Sequence, residues 1–344
     1  MVFLDYASTC PIVKFSSQQY GGFHCNPNAA YAYAERKTLM DCEERIKAAI
    51  GVKSGRVLYF RCATEAIDWL HRATIERVGC IRWRRSLYEH DACQFGCEAK
   101  ANLVTDTIDF YIHQWVNHIT GEIFDLKTIR SQLPETCKLI VDATAGFGKA
   151  KLPSDLDNIA DVLFMSGHKI GCPELSFMWL SDNLCEWLGA AKDIRNQWGL
   201  HHGSLSVASV LALTDAVEWA CENGDRVDGH SVRLYVQMND MLDKAHIEHH
   251  DVLEHQMFTC SINAIRLNGI NADALQQFLA SRGIYVGVGG SACSAAHDYR
   301  VLRAYGLTDD EASEVIRVSF GDETTARDIE ALVEGIKEYR RQFC

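Results

Sequence analysis

Ser166-Gly167-His168-Lys169 concentrates more reactive chemistry than any other tetrapeptide in the chain. A lysine between Met165 and Ile170, at the end of an apolar run, has two readings. It is a surface residue whose stem snorkels along the core, or a desolvated amine that can hold a carbonyl compound as a Schiff base. Asp142 closes an earlier apolar run. It reads as a helix N-cap, or as the carboxylate that keeps the ring nitrogen of pyridoxal 5'-phosphate protonated and the ring an electron sink. Thr64, followed by Glu65, opens a helical segment. There it is a plain N-cap, or a hydroxyl that joins free backbone N–H groups in binding a phosphate. Glu89-His90 follows a short apolar run, and its histidine is either a satisfied interior residue or a group that handles protons.

Two further stretches carry chemistry. Gly289-Gly290-Ser291-Ala292-Cys293-Ser294-Ala295-Ala296 places a cysteine among small neighbours, where a thiolate is accessible and mobile. Arg317, inside Val315-Ile316-Arg317-Val318-Ser319, is a charge in an apolar strand and needs a partner. That partner is a structural carboxylate or the carboxylate of a substrate. The chain has 14 cysteines but no Cys-x-x-Cys, and no second ligand pair stands at zinc-finger spacing. Cys93 and Cys97, four apart, are expected on one face of a helix rather than on a metal, and no metal site is expected. Most of the cysteines read as small buried hydrophobes.

These residues sit where an open α/β sheet would present them. Short β-branched or aromatic runs alternate with longer helical segments, the pattern of a mainly parallel sheet covered by helices. Strands are expected at 56–60, 81–83, 137–141, 162–165 and 177–180, with a helix over 63–75. Ligands of such sheets bind outside the carboxyl ends of the strands, where Thr64, Asp142, Ser166, His168 and Lys169 fall. Two helices are expected over 205–221 and 232–246. After them come a strand at 264–267, a helix at 271–281, a Gly-rich strand end at 284–290 and a terminal helix from Thr325. The last part reads as a small α+β domain. The expected division is 15–244 for a large cofactor-binding domain, and 1–14 with 245–344 for a small domain carrying the Cys293 loop.

Composition excludes several functions. With 34 Lys and Arg against 46 Asp and Glu, the net charge of -12 argues against direct nucleic-acid binding. The chain is 47% apolar and 23% charged over 344 residues, which is ordinary globular composition. It holds 24 Gly and 5 Pro without a flexible linker. No apolar run has the length of a membrane span, and Met1-Val2-Phe3-Leu4-Asp5 lacks the basic start of a signal peptide, so a cytoplasmic location is expected.

The collinear set Leu4-Asp5-Tyr6-Ala7-Ser8-Thr9, Asn26-Pro27-Asn28, Ala63-Thr64-Glu65-Ala66, Glu89-His90, Val141-Asp142-Ala143-Thr144, Ser166-Gly167-His168-Lys169, Gly290-Ser291-Ala292-Cys293 and Ile316-Arg317-Val318-Ser319 strongly resembles the cysteine desulfurases of aminotransferase class V. The resemblance spans about residue 3 to about residue 340. It implies a fold-type I pyridoxal-phosphate transferase, homodimeric, that removes sulfur from L-cysteine, leaves L-alanine and passes a persulfide to an acceptor protein. By the same resemblance Lys169 bonds the cofactor, Asp142 meets its ring nitrogen and His90 stacks on the ring. Thr64, Ser166, His168 and Ser204 are matched to phosphate contacts, Arg317 to the clamp on the substrate carboxylate, and Cys293 to the mobile nucleophile.

Three departures accompany these matches. Ala145 stands where the family has a glutamine on the cofactor's phenolic oxygen, so that contact falls to Asn117 or His118 in Asn117-His118-Ile119-Thr120-Gly121, with Asn117 also facing substrate. His201-His202-Gly203-Ser204 replaces Arg-Ser-Gly-Thr, and the loop between Cys293 and Val301 is short for the family. A trimmed chain of this kind points to a specialised branch. Iron–sulfur assembly, tRNA thiolation and DNA phosphorothioation are its possible outlets, the last favoured slightly. Two rival readings keep the fold: a class V lyase or aminotransferase that does not use Cys293, and a non-catalytic scaffold.

Overall fold

The computed structural model describes residues 1–78, 82–93, 97–98, 109–253, 255–289 and 298–343. Among the described residues twelve strands are present: β1 Val2–Leu4, β2 Arg56–Phe60, β3 Trp83–Arg85, β4 Cys97–Glu98, β5 Phe110–Gln114, β6 Lys138–Asp142, β7 Val162–Ser166, β8 Ser176–Leu180, β9 His249–Asp251, β10 Ile262–Leu267, β11 Ile284–Val288 and β12 Val315–Ser319. The chain divides into two compact units. The larger comprises Ile12–Trp115 and Asp125–Asn223, and the smaller comprises Met1–Pro11, Val116–Phe124 and Gly224–Cys344. The boundary expected after residue 244 marks the end of the helix Val207–Lys244, whereas the units part at Asn223 and Gly224, inside that helix.

The larger unit is built on a seven-stranded sheet in the order β2-β8-β7-β6-β5-β3-β4. The pairs from β7 to β4 are parallel, and β8 pairs antiparallel with both β2 and β7. Six strands therefore run one way and end at a single edge. Every residue of β5, β7 and β8 is buried, which requires cover on both faces. The helix Ala63–Val78 packs on β2, β7 and β8 through Ala66, Ile67 and Leu70, all 0% exposed.

The smaller unit has a five-stranded sheet in the order β1-β11-β12-β10-β9, parallel between β1 and β11 and antiparallel elsewhere. Its core joins Leu4, Val286, Ile316 and Val318 of the sheet to Leu275 and Leu279 of the helix Ala272–Ser281 and to Ile329, Leu332 and Ile336 of the helix Ala326–Phe343. The mainly parallel sheet with a small α+β domain follows the expected α/β class.

Two expectations change. The two helices read over 205–221 and 232–246 are one 38-residue helix, Val207–Lys244. Gly224 and Gly229 in its middle weaken helix propensity, but Ala220, Val227, Ser231, Leu234 and Met238 continue one buried stripe through them. Ser231 keeps its hydroxyl satisfied there, donating to Val227 O at 2.9 Å and accepting from Ser261 Oγ at 2.9 Å. Cys93 and Cys97 do not share a helix face: Cys93 ends a short 3-10 turn, Asp91–Cys93, while Cys97 pairs with Arg84 as an edge strand. Among the described residues no helix is long and apolar enough to cross a membrane.

Candidate active site

The common strand edge of the larger unit carries most of the residues that the sequence singles out. Asp142 is the last residue of β6, and Ser166 is the last of the adjacent parallel strand β7, with Lys169 in the 3-10 turn Gly167–Ile170 that follows. Asp142 pairs with Phe164, so the end of β6 and the turn that carries Lys169 both leave the sheet at this edge, on adjacent strands. The turn forms because Gly167 is a glycine: a Cβ there would lie 2.1 Å from Leu175 O and 2.6 Å from Cys172 O. Gly171, at φ +82, ends it in the left-handed region.

Asp142 is 7% exposed and accepts the Thr144 N–H at 2.8 Å. Turns rather than a helix follow it, so it does not cap a helix. Glu89 and Cys93, each 0% exposed, join it in a buried cluster whose ligand-type atoms lie within 4.8 Å of one another. Thr144 Oγ1 is buried and has no partner among the described residues. His90 Nδ1 accepts the Ala92 N–H at 3.0 Å, which places the proton of the neutral ring on Nε2. Burial first, and then the charges of Lys169 and Lys149, push the pKa of His168 down to about 4, so its imidazole is neutral at physiological pH.

Thr64 is exposed in the first turn of the helix Ala63–Val78, and the cap there is Cys62, whose Sγ receives the Glu65 N–H at 3.5 Å. The plain N-cap reading of Thr64 therefore does not apply. Thr64 lies in the first turn, where the leading amides of a helix have no acceptor within it. Ser166 sits deeper than Thr64. Its hydroxyl is buried and lies 3.3 Å from Ser176 Oγ. His201 stacks on Phe60, at the end of β2, with ring centroids 4.8 Å apart, and meets Trp69 edge-on. Ser204, three residues on, is exposed.

Sequence reasoning overlooked what holds the 201–204 segment. Asn196, Gln197 and Trp198 all have left-handed backbone, at φ 50, 50 and 60, and Gly199 follows at φ 71. Gln197 explains how such strain is held. Its side chain accepts from Tyr59 N at 2.7 Å and donates to Tyr59 O at 3.3 Å, so it satisfies an open strand edge on β2. Asn28 completes the anchor by accepting from Asn196 N and donating to Gly203 O. No local pattern in the sequence announces a left-handed run of this kind.

The smaller unit gathers a second set. Arg317 is 1% exposed on β12. It donates to Asp5 Oδ1 and Ser8 Oγ, each at 2.7 Å, and to His118 O at 2.9 Å. The structural-carboxylate reading of Arg317 is thus realised by Asp5. Asn117, 0% exposed, uses Oδ1 to hold the Ile119 and Thr120 N–H groups, and its Nδ2 has no partner among the described residues. Cys293, with Gly290, Ser291 and Ala292, lies outside the described residues. The chain leads toward it from Gly289, whose N–H donates to Val315 O at 2.7 Å, and resumes at Asp298, which holds Arg300 and Arg303.

A mainly parallel sheet whose shared carboxyl edge carries Asp142, His168 and Lys169, with a small α+β unit beside it in sequence, is the arrangement of an α/β enzyme that binds its ligand at the strand ends. The chain belongs to the class-V aminotransferase family, which matches residues 89–332. Pyridoxal phosphate is a general property of that family. Over 98% of its length the chain is 23% identical to a protein of Halalkalibacterium halodurans named putative cysteine desulfurase NifS, of which 98% is covered. It is 26% identical, over 98% of its length, to the cysteine desulfurase IscS of Mannheimia succiniciproducens, of which 92% is covered. A solved NifS-like protein superposes with a TM-score of 0.82 at 18% identity, covering 99% of this chain and 100% of that one. The cysteine desulfurase CsdA of Escherichia coli gives 0.73 at 20% identity, covering 100% and 95%. At such identities these two structures establish the fold.

The residues present fit pyridoxal phosphate. The group needs an amine for its aldehyde, an acid for its ring nitrogen and an anion site for its phosphate. Lys169, Asp142 and the start of the helix Ala63–Val78 are candidates for these, and the unpartnered Thr144 Oγ1 supplies a buried donor beside Asp142.

Proposed function

We infer that the chain is a cysteine desulfurase: it takes sulfur from L-cysteine, releases L-alanine and carries the sulfur as a persulfide on Cys293 to an acceptor protein. The observation that carries this reading is the placement of Asp142 at the end of β6 and of Lys169 in the turn that follows the adjacent parallel strand β7, in a chain similar over nearly its whole length to proteins named as cysteine desulfurases. When bound, pyridoxal phosphate supplies an electron sink for the bonds around the substrate Cα. Lys169 would hold it through its amine and, once free, would move the Cα proton. Asp142 would accept a hydrogen bond from the ring nitrogen. His90 would lie against the ring and handle protons, while Thr64, Ser166, His168 and Ser204 are assigned to the phosphate, and Asn117 or His118 to the phenolic oxygen. Arg317, with Asn117, faces the substrate carboxylate.

The sulfur step belongs to the chain itself. The Cys293 thiolate attacks the substrate sulfur, a sulfur–sulfur bond forms, and the carbon–sulfur bond breaks with its electron pair left on carbon. Protonation of that carbon gives alanine, so cysteine and one protein thiol become alanine and one persulfide. Burial raises the thiols of Cys137, Cys172 and Cys260 to about 11 and those of Cys185 and Cys221 to about 12, which leaves these five protonated at neutral pH and unsuited to the attack. A homodimer in the cytoplasm with a dedicated sulfur acceptor completes the reading. DNA phosphorothioation is the outlet we favour.

The test is Cys293→Ser. Serine is poorly ionised and cannot hold a persulfide, so the variant binds cofactor and cysteine while alanine and sulfide release fall to background. Full alanine production by Cys293→Ser contradicts the persulfide route and returns the chain to a class V lyase.

A further inference from the structure

Arg317 occupies the middle strand of the smaller sheet, where its 1% exposure obliges the fold to neutralise it. The neighbouring strand sets Gly287 opposite it. A side chain there would displace the ion pair, because a Cβ would lie 2.8 Å from Arg317 Nε, 3.0 Å from Nη2 and 3.0 Å from Asp5 Oδ1. One strand further, β1 ends at Leu4, opposite Val286, and delivers Asp5 to the next place along. The Asp5 carboxylate reaches over the glycine to Nη2 at 2.7 Å. Ser8 Oγ takes Nη2 as well, at 2.7 Å, and the His118 carbonyl takes Nη1 at 2.9 Å. Both terminal nitrogens are held in this way. The Nε–H is buried and has no acceptor among the described residues.

We propose that Asp5 is the positioning residue of the carboxylate clamp: held across Gly287, it fixes the plane and rotation of the Arg317 guanidinium and so makes the enzyme selective for α-amino acids with a free carboxylate. This rests on the reading of Arg317 as the residue that faces the substrate carboxylate. A long arginine side chain left to itself samples many rotamers, and a planar fork recognises a carboxylate well only when its plane is fixed beforehand. Asp5 and Ser8 fix it from one side, and the His118 carbonyl from the other. Of the five guanidinium N–H groups three are taken, so the Nε–H and one Nη1–H are the donors left for a bound carboxylate.

The experiment compares acid with ester in the holoenzyme. Initial rates are measured with L-cysteine and with L-cysteine methyl ester, and binding of L-alanine is measured by calorimetry, for the parent protein, Asp5→Asn and Arg317→Ala. Asp5→Asn keeps the shape and loses the charge. It raises the KM for L-cysteine on the order of 10-fold with a smaller effect on kcat, weakens L-alanine binding in proportion, and leaves the ester within about twofold of the parent. Loss of acid-over-ester preference in Arg317→Ala together with its retention in Asp5→Asn overturns the role of Asp5 and keeps the clamp. Equal effects of Arg317→Ala on acid and ester overturn the clamp reading and the proposal with it. Equal losses on acid and ester in Asp5→Asn assign Asp5 to folding alone. Should Asp5→Asn not fold, Ser8→Ala removes one support of the same guanidinium. It shows the same selective rise in KM, several-fold smaller, and no selective rise overturns the proposal.

Discussion

His113 offers a test of the larger unit that needs no substrate. It lies in β5, 6% exposed, with Nδ1 donating to Gln114 O at 2.7 Å. Burial pushes its pKa from 6.5 down to about 4, with the Gln114 carbonyl opposing the shift less strongly. The unfolded chain therefore takes up a proton near pH 6.5 that the folded chain refuses until about pH 4. Stability from this group is fully present above pH 6.5 and is lost as the pH falls toward 4. At 1.36 kcal/mol per unit, the difference amounts to about 3 kcal/mol. The perturbation is His113→Gln, which keeps an amide donor and removes the titration. Buried acids act in the opposite direction: Glu43, Glu122, Asp228 and Asp251 have pKa values raised by burial and favour the folded state as they protonate. The informative quantity is thus the difference between variant and parent, followed by urea unfolding from pH 7 to pH 4.5. The gap between the two stabilities should close by about 2–3 kcal/mol over that range. A gap that stays constant with pH refutes the assignment of a neutral, buried imidazole to β5.

Two further predictions concern the strand edge. Lys169→Ala should abolish the visible absorption of the lysine-linked cofactor while the protein still folds, and an unchanged spectrum would assign the linkage to another lysine. Gln197→Ala should strip both polar groups of Tyr59 of their partner on the open edge of β2, lowering stability by about 2–4 kcal/mol in calorimetric unfolding. A loss below about 0.5 kcal/mol would mean that water replaces the glutamine and that the left-handed turn is held by other contacts.

The sequence was most legible where burial alone decides structure. The apolar runs of β7 and β8 announce fully buried strands, and the carboxyl end of β7 leads to Ser166 and Lys169. It was least legible where a polar group is buried because a distant partner receives it. β5 ends in His113 and Gln114, which break the apolar run. Gln114 is accommodated because its side-chain amide donates to the Tyr88 carbonyl and its backbone N–H to Glu89 Oε1 at 2.6 Å, contacts between residues 26 and 25 apart. Arg317 could be recognised as a charge needing a partner, but that the partner is Asp5 depends on β1 pairing with β11 across 280 residues, which no local pattern encodes. The cap at Cys62 was hidden for a different reason: sulfur is a weak acceptor, and Thr64 two residues later has the better capping side chain by type. The long helix misled through its glycines, whose cost of about 1 kcal/mol each is outweighed by the buried stripe on either side.

The central claim is that sulfur from L-cysteine comes to rest on Cys293. Holoenzyme is incubated with sulfur-labelled L-cysteine in the absence of any acceptor, the thiols are trapped by alkylation, and the peptides are read by mass spectrometry alongside an alanine assay. The account predicts that the Cys293 peptide gains the mass of one labelled sulfur atom, that one alanine appears for each sulfur bound, and that the peptides of Cys137, Cys172 and Cys185 gain none. Alanine released with no added sulfur on Cys293, or with the label on another cysteine, would contradict it.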